Sequence, residues 1–259
     1  MKIYFFTFVL IVFAMALFTT GLLSVSGIIK PGDLSPVLIR LNLPSISIII
    51  GGLLAHSGVT FPSSRLSAAL LKIFSYFSHS KNNYKTLKDD IDNLIIWQSE
   101  LRDNRLGKAF ELSEYYNNKF EGYFFSLVAT NYSIEDIRKL GEAKIHTNYQ
   151  KNLQISNVFF VMGNASPAYG MLGTLIGLIV MLQNYQDPLQ LGAGLSIALM
   201  TTLYGLFFAQ FIFYPMSRKI SHAAESDLLR EQILMEGILM IMAARPSLYI
   251  RDYLMALLK

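Results

Sequence analysis

Three threonines carry the most suggestive chemistry in this sequence. Thr174 sits in one long apolar stretch, Thr201 and Thr202 sit in the next, and neither stretch (residues 158–182 and 191–214) contains an Asp, Glu, Lys or Arg. A hydroxyl in hydrocarbon needs a partner, because leaving it unpaired costs about 1 to 3 kcal/mol. Two readings meet that need. In one, each hydroxyl bonds back to a carbonyl one turn earlier and the threonines are packing residues. In the other, they offer oxygen to a proton or cation crossing the bilayer, and the ionisable group that such transport requires comes from another chain.

Spacing groups these hydroxyls with small residues. Ser166, Gly170, Gly173, Thr174 and Gly177 recur at intervals of three and four, which places them on one helical face, and Gly194, Ala198, Thr201, Thr202, Gly205 and Ala209 repeat the pattern. Two such faces permit close approach of neighbouring helices. Pro167 falls inside the first stretch, where it removes a backbone hydrogen bond and predicts a kink. Pro215 closes the second, just before Arg218 and Lys219, and predicts a bend or a coupling hinge. His56 stands alone in an earlier apolar run and reads as a packed, neutral imidazole.

Other chemistries are excluded or unsupported. Cysteine is absent, so thiolate nucleophiles, thiolate metal sites and disulfides do not arise. The four histidines, at 56, 79, 146 and 222, lack the paired spacing of a metal site. Neither a phosphate-binding Gly-Lys loop nor a Gly-x-Ser-x-Gly elbow occurs. The sequence points away from an enzyme and implies no bound cofactor.

The elements that must position these residues are membrane helices. Of 259 residues 53% are hydrophobic and only 15% charged, against about 25% charged in soluble domains. A helix crosses the hydrocarbon core with about 20 apolar residues, and four windows qualify: 4–23, 43–61, 158–182 and 191–214. The first is longer than the apolar part of a signal peptide and lacks a small-residue cleavage site, so it reads as a span. The second is interrupted by Gly51, Gly52, His56, Ser57 and Gly58, a composition suited to packing against other helices. The third and fourth flank an Asp187-Pro188 turn signal and form a helical hairpin.

Basic residues set the orientation. Lys and Arg number 13 in residues 62–157 and 6 in 216–259, against 2 between the first two spans and none between the last two. The positive-inside bias then places both termini and the long middle segment in the cytoplasm. That segment carries helical periodicity at Ile91, Leu94, Ile95 and Leu101, and a Ser133-Ile134-Glu135-Asp136 capping pattern opens another helix. The expected fold is an all-α integral membrane protein in four parts. Residues 1–61 hold spans one and two, 62–157 a helical cytoplasmic domain, 158–215 the span three and four hairpin, and 216–259 cytoplasmic helices broken near Pro246.

The stretch Ser166-Pro-Ala-Tyr-Gly-Met-Leu-Gly-Thr-Leu-Ile-Gly177, followed by Leu195-Ser-Ile-Ala-Leu-Met-Thr-Thr-Leu-Tyr-Gly205, closely resembles the paired signature of the MotA/PomA flagellar stator family. Leu43-Pro44-Ser45, Gly51-Gly52 and Phe61-Pro62 upstream, and Glu236-Gly237-Ile238 downstream, resemble that family's second span and tail. The resemblance implies a stator of the bacterial inner membrane. Five such chains would surround two copies of a MotB/PomB-like partner, whose aspartate carries H+ or Na+ and drives rotation. It implies that Thr174, Thr201 and Thr202 lie beside the ion path, that Pro167 and Pro215 couple ion flow to movement, and that Gly170, Gly173, Gly177 and Gly205 pack helices. The family's Arg and Glu that meet the rotor protein FliG correspond to the region of Arg102, Arg105 and Glu111, where the spacing departs from the usual one. The usual Gly-x-Asn-Pro of the tail is replaced by Ala243-Ala244-Arg245-Pro246. Two other readings stay in view. One is an ion-driven rotary subunit of ExbB/TolQ type or outside the flagellum, and the other a membrane scaffold or transporter subunit without ion flow.

Overall fold

The computed structural model describes the backbone of residues 42–78, 83–103, 105–117 and 119–257, and their side chains except at 72–85, 102 and 103. The span expected over residues 4–23 and the side chain of Arg102 lie outside what is described. Every element in the described residues is helical: α1 Leu43–Thr60, α2 Ser63–Ser78, α3 Asn83–Asp103, α4 Arg105–Tyr115, α5 Phe120–Ala129, α6 Ile134–Gln183, α7 Pro188–Phe207, a π-helical turn Phe208–Phe213, α8 Tyr214–Met242 and α9 Ser247–Ala256. Among the described residues, three helical runs are long and apolar enough to cross a membrane: α1, α6, and α7 continued into α8.

Local chemistry fixes the ends. Asn42 takes a left-handed conformation and Pro44 occupies the first turn of α1. Pro62 follows the extended Phe61 that ends α1. Ser133 caps α6 reciprocally with Asp136: its Oγ accepts from the Asp136 N–H at 3.1 Å and lies 2.6 Å from Oδ2. The Asp187 carboxylate accepts from Leu189 N–H at 2.9 Å, with Pro188 at the first position of α7. After α8 the chain closes a Schellman turn, with Ala244 N–H on the Ile241 carbonyl and Arg245 N–H on that of Met240. The left-handed position of that turn, which favours glycine, is held by Ala244 at φ 52°.

The chain divides into two compact units, to both of which α6 and α8 contribute residues. The first comprises the described residues up to 78 together with 154–220. Its core is built from Ile49 and Leu53 of α1, Leu66 and Ala69 of α2, Val158, Phe159 and Met162 of α6, and Met216 and Ile220 of α8. The second comprises 83–153 with the described residues from 221 onward. Its core centres on Phe124 and Phe125, fully buried, with Trp97 edge-on to Phe125 at 5.0 Å, and on Leu94, Ile137, Ile233 and Ile238. Each buried aromatic or aliphatic side chain contributes roughly 1.5 to 3 kcal/mol.

Candidate functional site

The α6–α7 hairpin of the first unit is zipped by glycine. A Cβ on Gly170 would lie 3.0 Å from the Thr201 carbonyl, one on Gly177 2.7 Å from Ala198 N, and one on Gly205 2.9 Å from the Ser166 carbonyl. One on Gly173 would lie 2.5 Å from Thr201 Cβ. Only glycine fits at these crossings, because anything larger would force the helix backbones apart. The structure thus brings together Gly170, Gly173, Gly177 and Gly205, together with Gly194 of the second small-residue face, which rests on Gly177 and Met181.

Hydrogen bonding tells the hydroxyls apart. Ser166 is fully buried and its Oγ donates across the helix pair to the Gly205 carbonyl at 2.8 Å. Thr201, also fully buried, donates within its own helix to the carbonyls of Ile197 and Ala198, both at 3.0 Å. Thr174 donates to the Met171 carbonyl at 2.6 Å and is half-buried, as is Thr202. A threonine whose proton is committed to a carbonyl has only lone pairs left to present, so its free face is an acceptor suited to a cation. Thr201 turns that face onto Gly173, whereas Thr174 and Thr202 retain accessible surface.

No charged side chain acts within the hairpin. Between residues 158 and 217 the sole Asp, Glu, Lys or Arg is Asp187, and its carboxylate is engaged in capping α7 at the turn. The hairpin can therefore line a path with oxygen but cannot itself carry a proton or balance a cation. Its outward face is apolar, with Leu175, Ile179, Leu199, Leu203 and Phe211 exposed.

The prolines occupy different settings. Helix α6 continues through Pro167, which cannot donate to the carbonyl of residue 163. Pro215 is exposed and stands one residue beyond Tyr214, which ends the π-helical turn Phe208–Phe213. Such turns recur at functional sites in long helices, and no pattern in the sequence announced this one. His56 packs edge-on to the Tyr169 ring at 6.2 Å, and Gly52 is the position on α1 over which that ring lies. In the second unit Arg105 is exposed on α4, and Glu111 is paired with Lys108 Nζ at 2.6 Å. The hydrogen bond from Lys108 to Glu111 raises the lysine pKa.

Comparison with known proteins places this arrangement. The sequence profile of the MotA/TolQ/ExbB proton channel family matches residues 112–232. Motility protein A of Aquifex aeolicus is 31% identical over 200 residues, which span 76% of this chain and 78% of that protein. The chain belongs to the MotA/TolQ/ExbB proton channel family. Its fold is MotA-like: a MotAB structure from C. jejuni superposes with a TM-score of 0.76 at 21% identity, covering 93% of this chain and 94% of that one. The flagellar MotAB stator complex of Bacillus subtilis superposes at 0.70 with 24% identity, covering 81% of each. Within the MotA/TolQ/ExbB family the hairpin of α6 and α7 falls inside the profile match, so the glycine ladder and all three threonines lie in its shared part.

Proposed function

We propose that the chain is the ion-path subunit of a bacterial flagellar stator, lodged in the inner membrane with four spans and both termini in the cytoplasm. The observation that carries this reading is the hairpin itself. The hydroxyl protons of Ser166, Thr174 and Thr201 end on carbonyls, its glycines close the helix pair, and an ionisable group for transport is missing. A MotB-like partner supplies the acidic side chain, in keeping with the MotAB complexes that share the fold. Five copies surround two partner helices, Thr174 and Thr202 offer oxygen to H+ or Na+, and Thr201 braces them from behind. Pro167 and Pro215 transmit the partner's protonation to the cytoplasmic helices, where Arg102, Arg105 and Glu111 face the rotor protein FliG.

Reconstitution tests it. In liposomes the full chain should conduct only together with a partner bearing the acidic helix, and replacing that acid by its amide should abolish the flux. Equal conduction by the chain alone would overturn the reading. Replacing external sodium by potassium at fixed pH then identifies the ion, since swimming of a complemented strain persists only if protons drive it.

A further inference from the structure

In the second unit, α4, α5, α6 and α8 enclose a cleft of about 670 Å³, well within the range of small-molecule sites. Its walls carry two lysines, Lys119 and Lys144, two carboxylates, Glu114 and Glu231, and the amides of Asn117 and Asn148. Among the described residues neither lysine lies within 4 Å of a carboxylate. Each is held over an aromatic ring instead, Lys119 over Tyr116 at 5.3 Å and Lys144 over Tyr123 at 5.2 Å. Glu231 accepts a hydrogen bond from Asn148 Nδ2 at 2.9 Å.

We propose that this cleft binds a small, multiply charged anion bearing phosphate or carboxylate groups, held by Lys119 and Lys144, and that Glu231 takes up a proton as the anion enters. With Glu231 ionised, the two lysines are balanced by the two carboxylates and the lining has no net attraction for an anion. With Glu231 neutral the lining is net positive, and the carboxyl becomes a donor. Burial, chiefly, pushes the Glu231 pKa up to about 7, and Asp227 pushes the same way. The Asn148 amide, Arg230 and Lys144 oppose that shift. Arg230 is committed to Asp90 and Glu121, and Glu114 faces the cleft from α4. An entering anion adds negative charge beside Glu231 and raises its pKa further, so binding and proton uptake are linked, and binding weakens as pH rises above 7. The inference stands apart from the stator reading, because it concerns binding in the second unit alone.

The test is calorimetric titration of the full chain in detergent micelles with inorganic pyrophosphate and with succinate, at pH 7, in two buffers of different ionisation enthalpy. Pyrophosphate and succinate separate phosphate from carboxylate recognition. Saturable binding of at least one probe is expected, with about half a proton taken up per anion in the wild type beyond that in Glu231→Gln. That difference cancels the probe's own titration. Lys144→Gln, checked for unchanged thermal unfolding, should weaken binding by about tenfold or more, a loss of ~1.4 kcal/mol. Absence of saturable binding up to ~10 mM, equal proton counts in wild type and Glu231→Gln, or undiminished affinity in Lys144→Gln would each refute the proposal.

Discussion

In the hairpin, the buried hydroxyls of Ser166 and Thr201 end on backbone carbonyls, and the helices touch through glycine. In the second unit, Arg230 of α8 forks onto Asp90 of α3 at 2.6 and 3.1 Å and reaches Glu121 of α5 at 2.5 Å, tying three helices together through charge. Both carboxylates are more than nine-tenths buried, and the bonds Arg230 donates to Asp90 and Glu121 raise the guanidinium pKa, Asp90 foremost. The difference follows from solvent. Beside water, a charged cluster can be desolvated in part and repaired by bidentate bonds. In hydrocarbon the same cluster would be prohibitive, so polarity there shrinks to hydroxyls satisfied by the backbone. On the proposed stator reading, a hairpin organised this way is open to an ion only when a charge arrives from outside.

The comparison breaks first at Arg230. Arg230→Ala would strand two buried carboxylates and should destabilise the second unit by about 3 kcal/mol. Trp97, the sole tryptophan of the chain, sits in that unit's core and reports its guanidinium unfolding. Adding Asp90→Asn and Glu121→Gln should recover at least half of the loss. Failure to recover would mean that packing by the arginine stem, rather than stranded charge, holds the three helices.

In the hairpin the equivalent blow is steric. Gly205→Val would drive a side chain into the Ser166 carbonyl and the Gly170 Cα, at a cost of about 2 kcal/mol. The five-chain form that the proposed function calls for should then be lost on size exclusion of the detergent-solubilised chain. Gly192 meets nothing within 4 Å of a Cβ, so Gly192→Ala should elute unchanged. Equal behaviour of the two variants would remove the glycine ladder from the argument.

A smaller effect of opposite sign sharpens the second unit. Two Schellman turns close helices there, one with Asn131 at φ 58° and one with Ala244 at φ 52°. Asparagine occupies the left-handed region at less cost than alanine. Ala244→Gly should therefore raise stability by about 1 kcal/mol in the same Trp97 measurement. The Asn131→Gly change should shift it by less.

How much of this was readable beforehand divides along the same line. The glycine and hydroxyl face of residues 166–177 and its counterpart at 194–209 were legible, because helical periodicity converts spacing into a shared face. The Ser133 cap was legible for a similar reason, since capping is chemistry between residues two or three apart, whereas Asp187-Pro188 reads in the sequence as a turn and the structure adds that Asp187 caps α7. The Arg230 clamp was not, because Asp90 and Glu121 stand 140 and 109 positions away from it in the sequence. The π-helical turn at 208–213 gave no compositional sign. The separation of Thr201 from Thr174 and Thr202 was also invisible. Periodicity puts Thr174 on one small-residue face and Thr201 and Thr202 on the other without ranking them, and only the crossing at Gly173 decides which of them is sealed in.

That separation yields the subtlest prediction. Thr201→Val preserves the branched shape that fits Gly173, and the two carbonyls it releases still belong to the helix ladder, so no buried group is left unpaired. Stability of the hairpin should change by less than about 1 kcal/mol. Partner-dependent ion flux in liposomes should keep at least about half its rate, which corresponds to under ~0.5 kcal/mol in the barrier. Thr202→Val and Thr174→Val remove acceptors that retain accessible surface, and flux should fall by about tenfold or more in each while the complex still assembles. Were Thr201→Val to lose flux as deeply as the other two, its buried oxygen would have to become exposed during transport. The hairpin would then have to open at Gly173 as the ion passes.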